Sequence, residues 1–577
     1  MAEFETFNTN VAVIGGGPGG STLAALIKKY APEIAVTVFE RETFPRDHVG
    51  ESQLPLISAI LHEMGCWDKV EAADFPIKIG ATYRWGKTDD LWDFEFYPAK
   101  EFVNEPRPAK FVGQRRQTAF QVDRAKYDQI LLDHARSLGA EVHEGIAVKS
   151  ISTDGDRVDS LELTDGRRVV ADWYVDASGN AAILRRALNV PVTQPETLKN
   201  VAFWDYWQNA EWAVEIGVGA TRVQVMSLQY GWIWFIPLGP TRTSIGLVIP
   251  ASYHKRSGQS MEELYLGAIA KEPRIAAWTK NATREGPVRG TKDWSFVAEQ
   301  LSGPNWLLVG EAAGFADPIL AAGLTLTHAS AREAAYSIIA CHRGDQDGSW
   351  LLQAYSETQK SRIWQHIRFA DYWYTANDHF DNLKEFTRDI ARDAGLELDA
   401  QSAFQWLGTG GFADDGFGAS GVASFSLFAI KKMREFVGGA EFAIEPTKYA
   451  SIKLNLSGAN RYDVPIFRDG KVDRLSCLER SRKRLPLTPA VRAVIDVLKQ
   501  EEKSERVIER LRRSARTASP ADPEWEFINL LETLDALMLD GWATGRKKLA
   551  VPLDVPELRS RDALIHANVD NASVENL

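Results

Sequence analysis

The chain has 577 residues, enough for two or three domains, and 45% of them are hydrophobic, ample for a large core. Its formal net charge of -11 argues against nucleic acid as a partner, and Cys66, Cys341 and Cys477 lie too far apart for a disulfide framework or a cysteine metal site. No apolar run approaches the ~20 residues that span a bilayer, and no basic stretch leads into an apolar one at the N-terminus, so the expectation is a cytoplasmic protein without a membrane partner.

Residues 11–20, VAVIGGGPGG, are an apolar strand run broken by glycines and followed by the helical pattern STLAALIKK. Gly15, Gly17 and Gly20 stand at G-x-G-x-x-G spacing: one for a tight turn, one for backbone approach to a pyrophosphate, one for helix packing on the strand. Phosphates would sit at the helix N-terminus, where free amides and the dipole favour an anion. The next strand run, IAVTVFE, ends in Glu40, about 20 residues past the last glycine, where an acid accepts ribose hydroxyls. The prediction is a dinucleotide site whose cofactor lacks a ribose 2'-phosphate.

A polar loop follows, RETFPRDHVGES, carrying Arg46 and ending in Gly50, Glu51 and Ser52. Residues 75–86 alternate like a strand, with Ile77 and Ile79 on one face and Lys78 on the other. The stretch FQVDRAKYDQILLDHARSLGAEVHEG reads as strand, helix and strand, with Arg124 opening the helix, Ile130, Leu131 and Leu138 facing the core, and Gly139 ending it. Hairpin-like strands then lead to Asp176-Ala177-Ser178-Gly179, a strand running into a glycine turn.

Residues 201–250 are β-rich and contain GWIWFIP, which suggests a sheet inserted into the nucleotide-binding domain. The 18 tryptophans of the chain suit the walls of a deep site, although core packing accounts for most buried tryptophans. A loop, GEAAGFADPILAAG, feeds a helix, and long helical patterns run to about Gly395. Residues 408–421 are glycine-rich but lack a preceding strand, so a second dinucleotide site there is not expected. Past about Arg480 a small module begins, with Thr488-Pro489 and Asp522-Pro523 opening helices and KKLAVPL suggesting a wing strand.

Together GGGPGG, FPRDHVGES, DASG and GEAAGFADP resemble the flavin monooxygenase superfamily of the para-hydroxybenzoate hydroxylase fold. Within it, residues 232–237, WIWFIP, match in full the W-x-W-x-I-P motif that marks flavin-dependent halogenases. The resemblance covers about residues 8–395, and the tail is similar to the longer, winged-helix-ended members of the type acting in chloramphenicol biosynthesis. The implied fold is α/β: a Rossmann-like FAD-binding domain over residues 1–395 with an inserted mixed β-sheet substrate region, about residues 75–115 and 195–290. A linker and subdomain over 396–480 and a mostly helical, winged-helix-like end over 481–577 complete the expectation.

The resemblance implies FAD, reduced elsewhere by a separate NAD(P)H-dependent flavin reductase, oxygen as co-substrate, and chloride or bromide converted to hypohalous acid. That acid would reach Lys78, the family's lysine position ahead of Trp85-Gly86, for transfer of halogen to an electron-rich aromatic or activated acyl substrate, free or tethered to a carrier protein. Hydrogen bonding from an ammonium and haloamine formation on a neutral amine both remain open, and each needs a lysine shielded from water. Trp232, Trp234 and Pro237 would form the wall between flavin and substrate.

FAD contacts are implied for the glycines, Glu40, Arg46, Glu51, Ser52 and Arg124, and for Glu311, Asp317 and Gly323 near the ribityl chain. Glu311 departs from the family's usual Asp by one methylene. The halide would be held by amides near Ala322 and Gly323. Tryptophan halogenases carry Glu-Ser-Thr-Gly where this chain has Leu320-Ala321-Ala322-Gly323, which argues against free tryptophan as substrate and leaves Lys78 without an evident partner. Asp293 is a candidate flavin tether and Tyr374 a candidate pocket residue. His366 and His379 read as structural, so no metal site is expected. The alternatives are an aromatic hydroxylase or reductase of the same fold, and a flavin-sensing regulator working through the C-terminal module.

Overall fold

The computed structural model describes residues 5–85, 89, 91–195, 198–217, 219–292, 295–375, 449–480, 483–520, 523–539, 541–547 and 565–568. Asp293, His379, Asp522, Gly86 and the glycine-rich residues 408–421 lie outside them.

The first strand, Thr6–Ile14, is the axis of a sheet in which Val36–Glu40 and Arg168–Asp176 pair with it in parallel. Glu141–Glu144 extends the sheet on one side and Trp306–Leu308 on the other. Runs such as Val11, Ala12 and Val13 are continuously buried, packed in one core with Leu23 and Ile27 of helix Pro18–Tyr30 and with Val158 and Leu161 of the antiparallel hairpin Val148–Asp154 and Arg157–Leu163. The chain leaves the central strand through Gly15 at φ 106°, and a Cβ there would overlap the carbonyl of Ala177. A Cβ on Gly20 would strike the carbonyl of Gly15, so helix Pro18–Tyr30 can pack this closely only on glycine.

The second sheet is mixed, as expected of the inserted region. Its path runs Asn200–Gln208, Arg242–Pro250, Gly231–Pro237, Ala220–Leu228, Ile77–Arg84, Leu91–Glu95 and Ile565–Asn568. Only the Ala220–Leu228 to Ile77–Arg84 step along this path is parallel. That step carries a β-bulge: Lys78 is opposite Thr221, but Gly80 is opposite Arg222, which leaves Ile79 as an extra residue. Ahead of the bulge Ile77 and Ile79 pack with Val214, Ile216 and Ala220. Beyond it Ala81 and Tyr83 turn to the face of Lys78, and Thr82 turns away to donate to Asp93 at 2.8 Å. Asp93 and Glu95 both pair there with Arg222, a buried cluster behind the sheet.

Helix Gly323–Arg343 is buried along most of its length and carries a C-terminal hairpin, Asn460–Arg468 with Lys471–Arg480. Arg332 donates to the Phe467 carbonyl at 2.8 Å, and Phe467 and Val472 pack with Tyr336 and Ala340. Helices Pro489–Gln500, Ser504–Ala518 and Pro523–Leu539 enclose a separate core around Val494, Leu511 and Leu534. Thr488 caps the first of them, accepting from Val491 N at 3.2 Å, with Pro489 at the first helical position. This cluster also takes in strand Tyr449–Leu454, ahead of residue 481, because it pairs with Ala543–Lys547 and buries Ile452. Among the described residues no helix is long and apolar enough to cross a membrane.

Candidate functional site

A cavity of ≈ 970 Å³ opens between the two sheets, and its lining divides into a loop end and a sheet end. The loop end gathers the turns at the C-terminal tips of the parallel strands, where such sheets leave room for a ligand. Gly15 and Gly17 line it at the start of helix Pro18–Tyr30, and no side chain caps that helix, so its first amides are free for an anion. Glu40 accepts from Gly16 N at 2.7 Å and from Glu42 N at 2.9 Å, which fixes its carboxylate against the glycine turn.

Arg124 makes a bidentate pair with Asp128 at 2.7 and 2.9 Å and donates to the carbonyls of Val49 and Gly50 at 2.9 and 3.1 Å. It thereby fixes the loop that carries Glu51 and Ser52. Arg46 lies 3.5 Å from Asp128 and faces the glycine turn. Glu51 accepts from Tyr206 Oη at 3.0 Å and Gly50 N at 3.0 Å, and burial pushes its carboxyl above the usual range. Burial likewise raises Glu311, with Arg124 working against the rise. Ser52 Oγ is buried, lines the cavity and has no hydrogen-bond partner. Uncapped amides, two arginines and an unpartnered hydroxyl fit a dinucleotide such as FAD.

At the sheet end Lys78 is 2% exposed. Its Nζ donates to the carbonyl of Gln53 at 2.9 Å and lies 5.1 Å from the centre of the Phe96 ring. Burial alone lowers the amine to about 7, because among the described residues no carboxylate offsets the cost of the charge. The sequence left this lysine without a partner, and the structure corrects that: the partner is a backbone carbonyl, which no side-chain motif announces. Around it the cavity is lined by Ala81, Tyr83, Phe94, Val223 and Val225.

Trp232 and Trp234 also line the cavity. Trp232 Nε1 donates to Tyr374 Oη at 2.7 Å, and that hydroxyl lies 3.2 and 3.1 Å from the oxygens of Asp317. Asp317 also accepts from Ile319 N at 2.9 Å and Asn200 Nδ2 at 3.4 Å, and burial pushes it up to about 7. So Asp317 and Tyr374 stand behind the lining as braces. Trp234 Nε1 donates to Ser244 Oγ at 3.1 Å, and its ring occupies the space above Gly246. Pro237 closes the strand opposite Thr243.

Gly323 lines the cavity at the start of its helix and Ala322 is buried beside it, after Ala321 at φ 54°. Gly20 sits inside the turn and off the lining. Sequence reasoning missed Tyr83, Phe96, Tyr206 and Asp128. The aromatic-rich runs around residues 92–96 and 203–207 were the signal for Phe96 and Tyr206, the Arg124 to Asp128 spacing of four on one helix was the signal for Asp128, and Tyr83 had none. His366 bonds the Arg362 carbonyl at 2.8 Å, and among the described residues no cluster of His, Cys, Asp or Glu is arranged to hold a metal.

The family model described as tryptophan halogenase matches residues 10–105 and 98–389. A tryptophan 2-halogenase of Chondromyces crocatus is 31% identical over 378 residues, covering 64% of this chain and 68% of its own. A 1H-pyrrole-2-carbonyl-[peptidyl-carrier protein] chlorinase of Pseudomonas fluorescens is 31% identical over 384 residues, covering 64% and 84%. Among solved structures, that of CmlS, a flavin-dependent halogenase, superposes with a TM-score of 0.70 at 25% identity, over 94% of this chain and 96% of that one.

Proposed function

Because the chain belongs to the tryptophan halogenase family and is a flavin-dependent halogenase, we propose that Lys78 carries the halogen to an electron-rich aromatic or activated acyl substrate. The observation that carries this reading is a buried amine, without a carboxylate partner among the described residues, opening into the same cavity as the glycine turn. Gly15, Gly17, Glu40, Arg46, Glu51, Ser52, Arg124 and Glu311 would hold FAD, with Gly20 shaping the turn. The halide would lie against the amides at Ala322 and Gly323, within a loop braced by Asp317. Bound FAD, reduced by a separate NAD(P)H-dependent reductase, supplies with oxygen the two-electron oxidation that turns halide into hypohalous acid.

Lys78 then acts as the neutral amine. Its nitrogen takes halogen from hypohalous acid, one N–H being exchanged for N–halogen while water leaves. The substrate carbon next takes the halogen from nitrogen, and the proton lost from that carbon returns to the amine. An amine held near neutrality by burial is present in the reactive form without a base to deprotonate it. Trp232 and Trp234 separate the oxidant from the substrate, so that only the small acid crosses. The substrate arrives free or on a carrier protein, the latter being what the name of the Pseudomonas relative describes.

The test is turnover with a generic flavin reductase, FAD, NADH and bromide or chloride, over a panel of phenols, indoles, pyrroles and their carrier-bound acyl forms, read by mass spectrometry beside Lys78→Ala. Halogenated product from the parent, absent in the variant while flavin oxidation continues, is the expected outcome. Oxygenated product would replace this reading with a hydroxylase on the same fold.

A further inference from the structure

We infer that Tyr83 is a positioning residue that ties the Ala322–Gly323 loop to the strand of Lys78 and closes the wall between them; the inference rests on the halide and lysine roles proposed above. Tyr83 and Lys78 are five positions apart on one strand, an odd offset that would place them on opposite faces of a regular sheet. The bulge at Ile79 cancels that offset, so both side chains line one cavity. About 15 Å of strand separates them.

The Tyr83 hydroxyl lies 3.4 Å from the carbonyl of Ile319, the residue whose own amide donates to Asp317. Tyr374 donates to Asp317, so the loop leading to Gly323 is held by two tyrosines, one on the sheet and one on a helix. Tyr83 is 7% exposed, and burial pushes its phenol far above the usual value, which keeps it a neutral donor. In register it stands beside Val225, whose other neighbour is Trp234. The ring therefore continues the aromatic wall toward Lys78, while the hydroxyl sets the loop. The two duties separate by substitution.

Tyr83→Phe keeps the ring and deletes the hydroxyl. The expected result is a rise of about five-fold in the halide KM, the size of one lost hydrogen bond, with kcat at saturating halide and flavin affinity unchanged beside the small drop in Tm that losing one buried hydrogen bond brings. Measured without flavin, the bromide concentration that half-saturates the bromide-dependent rise in Tm should move by the same factor. Tyr83→Ala opens the wall. Its halogenated product should fall, while halogenation of a free scavenger in solution rises at equal flavin oxidation. Unchanged halide dependence in Tyr83→Phe, or a loss of flavin affinity in its place, would overturn the positioning role, and an unchanged scavenger share in Tyr83→Ala would overturn the wall. A parent enzyme that halogenates nothing would sink the underlying reading instead.

Discussion

The two ends of the cavity are built by opposite means. At the loop end the polar groups are many and mutually paired: Arg124 with Asp128, Arg46 beside the same carboxylate, Glu40 on the turn amides, Glu51 on Tyr206. At the sheet end, among the described residues, one amine stands against aliphatic and aromatic walls with a backbone carbonyl as its hydrogen-bond acceptor. Residues 50–54 join the two, since Gly50 and Glu51 face Arg124 and Tyr206 while Gln53 faces Lys78. Fixed amides and paired charges suit holding a large anion in one pose. A lone buried amine suits tuning reactivity, because desolvation moves its pKa where a counter-ion would hold it up.

The sharpest way to break this contrast is to remove the amine. Lys78→Ala should lower halogenation by about 10³-fold, within the range for a lost proton- or group-transfer residue, while NADH-driven flavin oxidation stays within about two-fold. Parallel loss of both activities would mean that the two ends are not separable. Damage to the loop end should do the reverse. Gly15→Ala places a side chain at φ 106° against the Ala177 carbonyl, so FAD affinity should fall about 30- to 100-fold by fluorescence titration, with Lys78 unaltered.

A pH series tests the tuning itself. If the neutral amine acts, single-turnover halogenation should rise about ten-fold per unit below pH 7 and level off above it, because Lys78 loses its proton near 7. A rate that falls through the same point would assign the work to the ammonium. The linkage has a fixed sign. The folded pKa is depressed from 10.5 to about 7, so the unfolded chain binds the proton more readily, and Lys78 costs stability increasingly as pH falls from 10.5 toward 7. Lys78→Met should therefore raise Tm more at pH 7 than at pH 10. The smallest effect is expected at the wall: Trp232→Phe removes the donor to Tyr374 but keeps most of the ring, and should cost about 1 kcal/mol in chemical denaturation.

Much of the loop end was legible in sequence, because its signals are local. A glycine spacing between a strand and a helix, and an acid at the end of the next strand, are all read within residues 11–40. The sheet end was legible only in part. Alternation put Lys78 opposite Ile77 and Ile79, and the residues of W-x-W-x-I-P marked the wall. The bulge that brings Tyr83 to the same face leaves no trace in composition, since a regular strand and a bulged one can have the same residues. Tyr374 meets Asp317 across 57 positions, and Tyr206 meets Glu51 across 155. No window of sequence holds either pair.

The sequence by itself determined the class of fold and the place of the glycine turn, because each depends on periodicity or on backbone freedom over a few neighbouring residues; the lysine worth testing was singled out by the family resemblance, through its place ahead of Trp85-Gly86. Tertiary structure decided what that lysine is. Packing it under Phe96 and against the Gln53 carbonyl removes water and, among the described residues, supplies no counter-charge, and it is this balance of lost hydration against a neutral partner that lowers the amine to about 7.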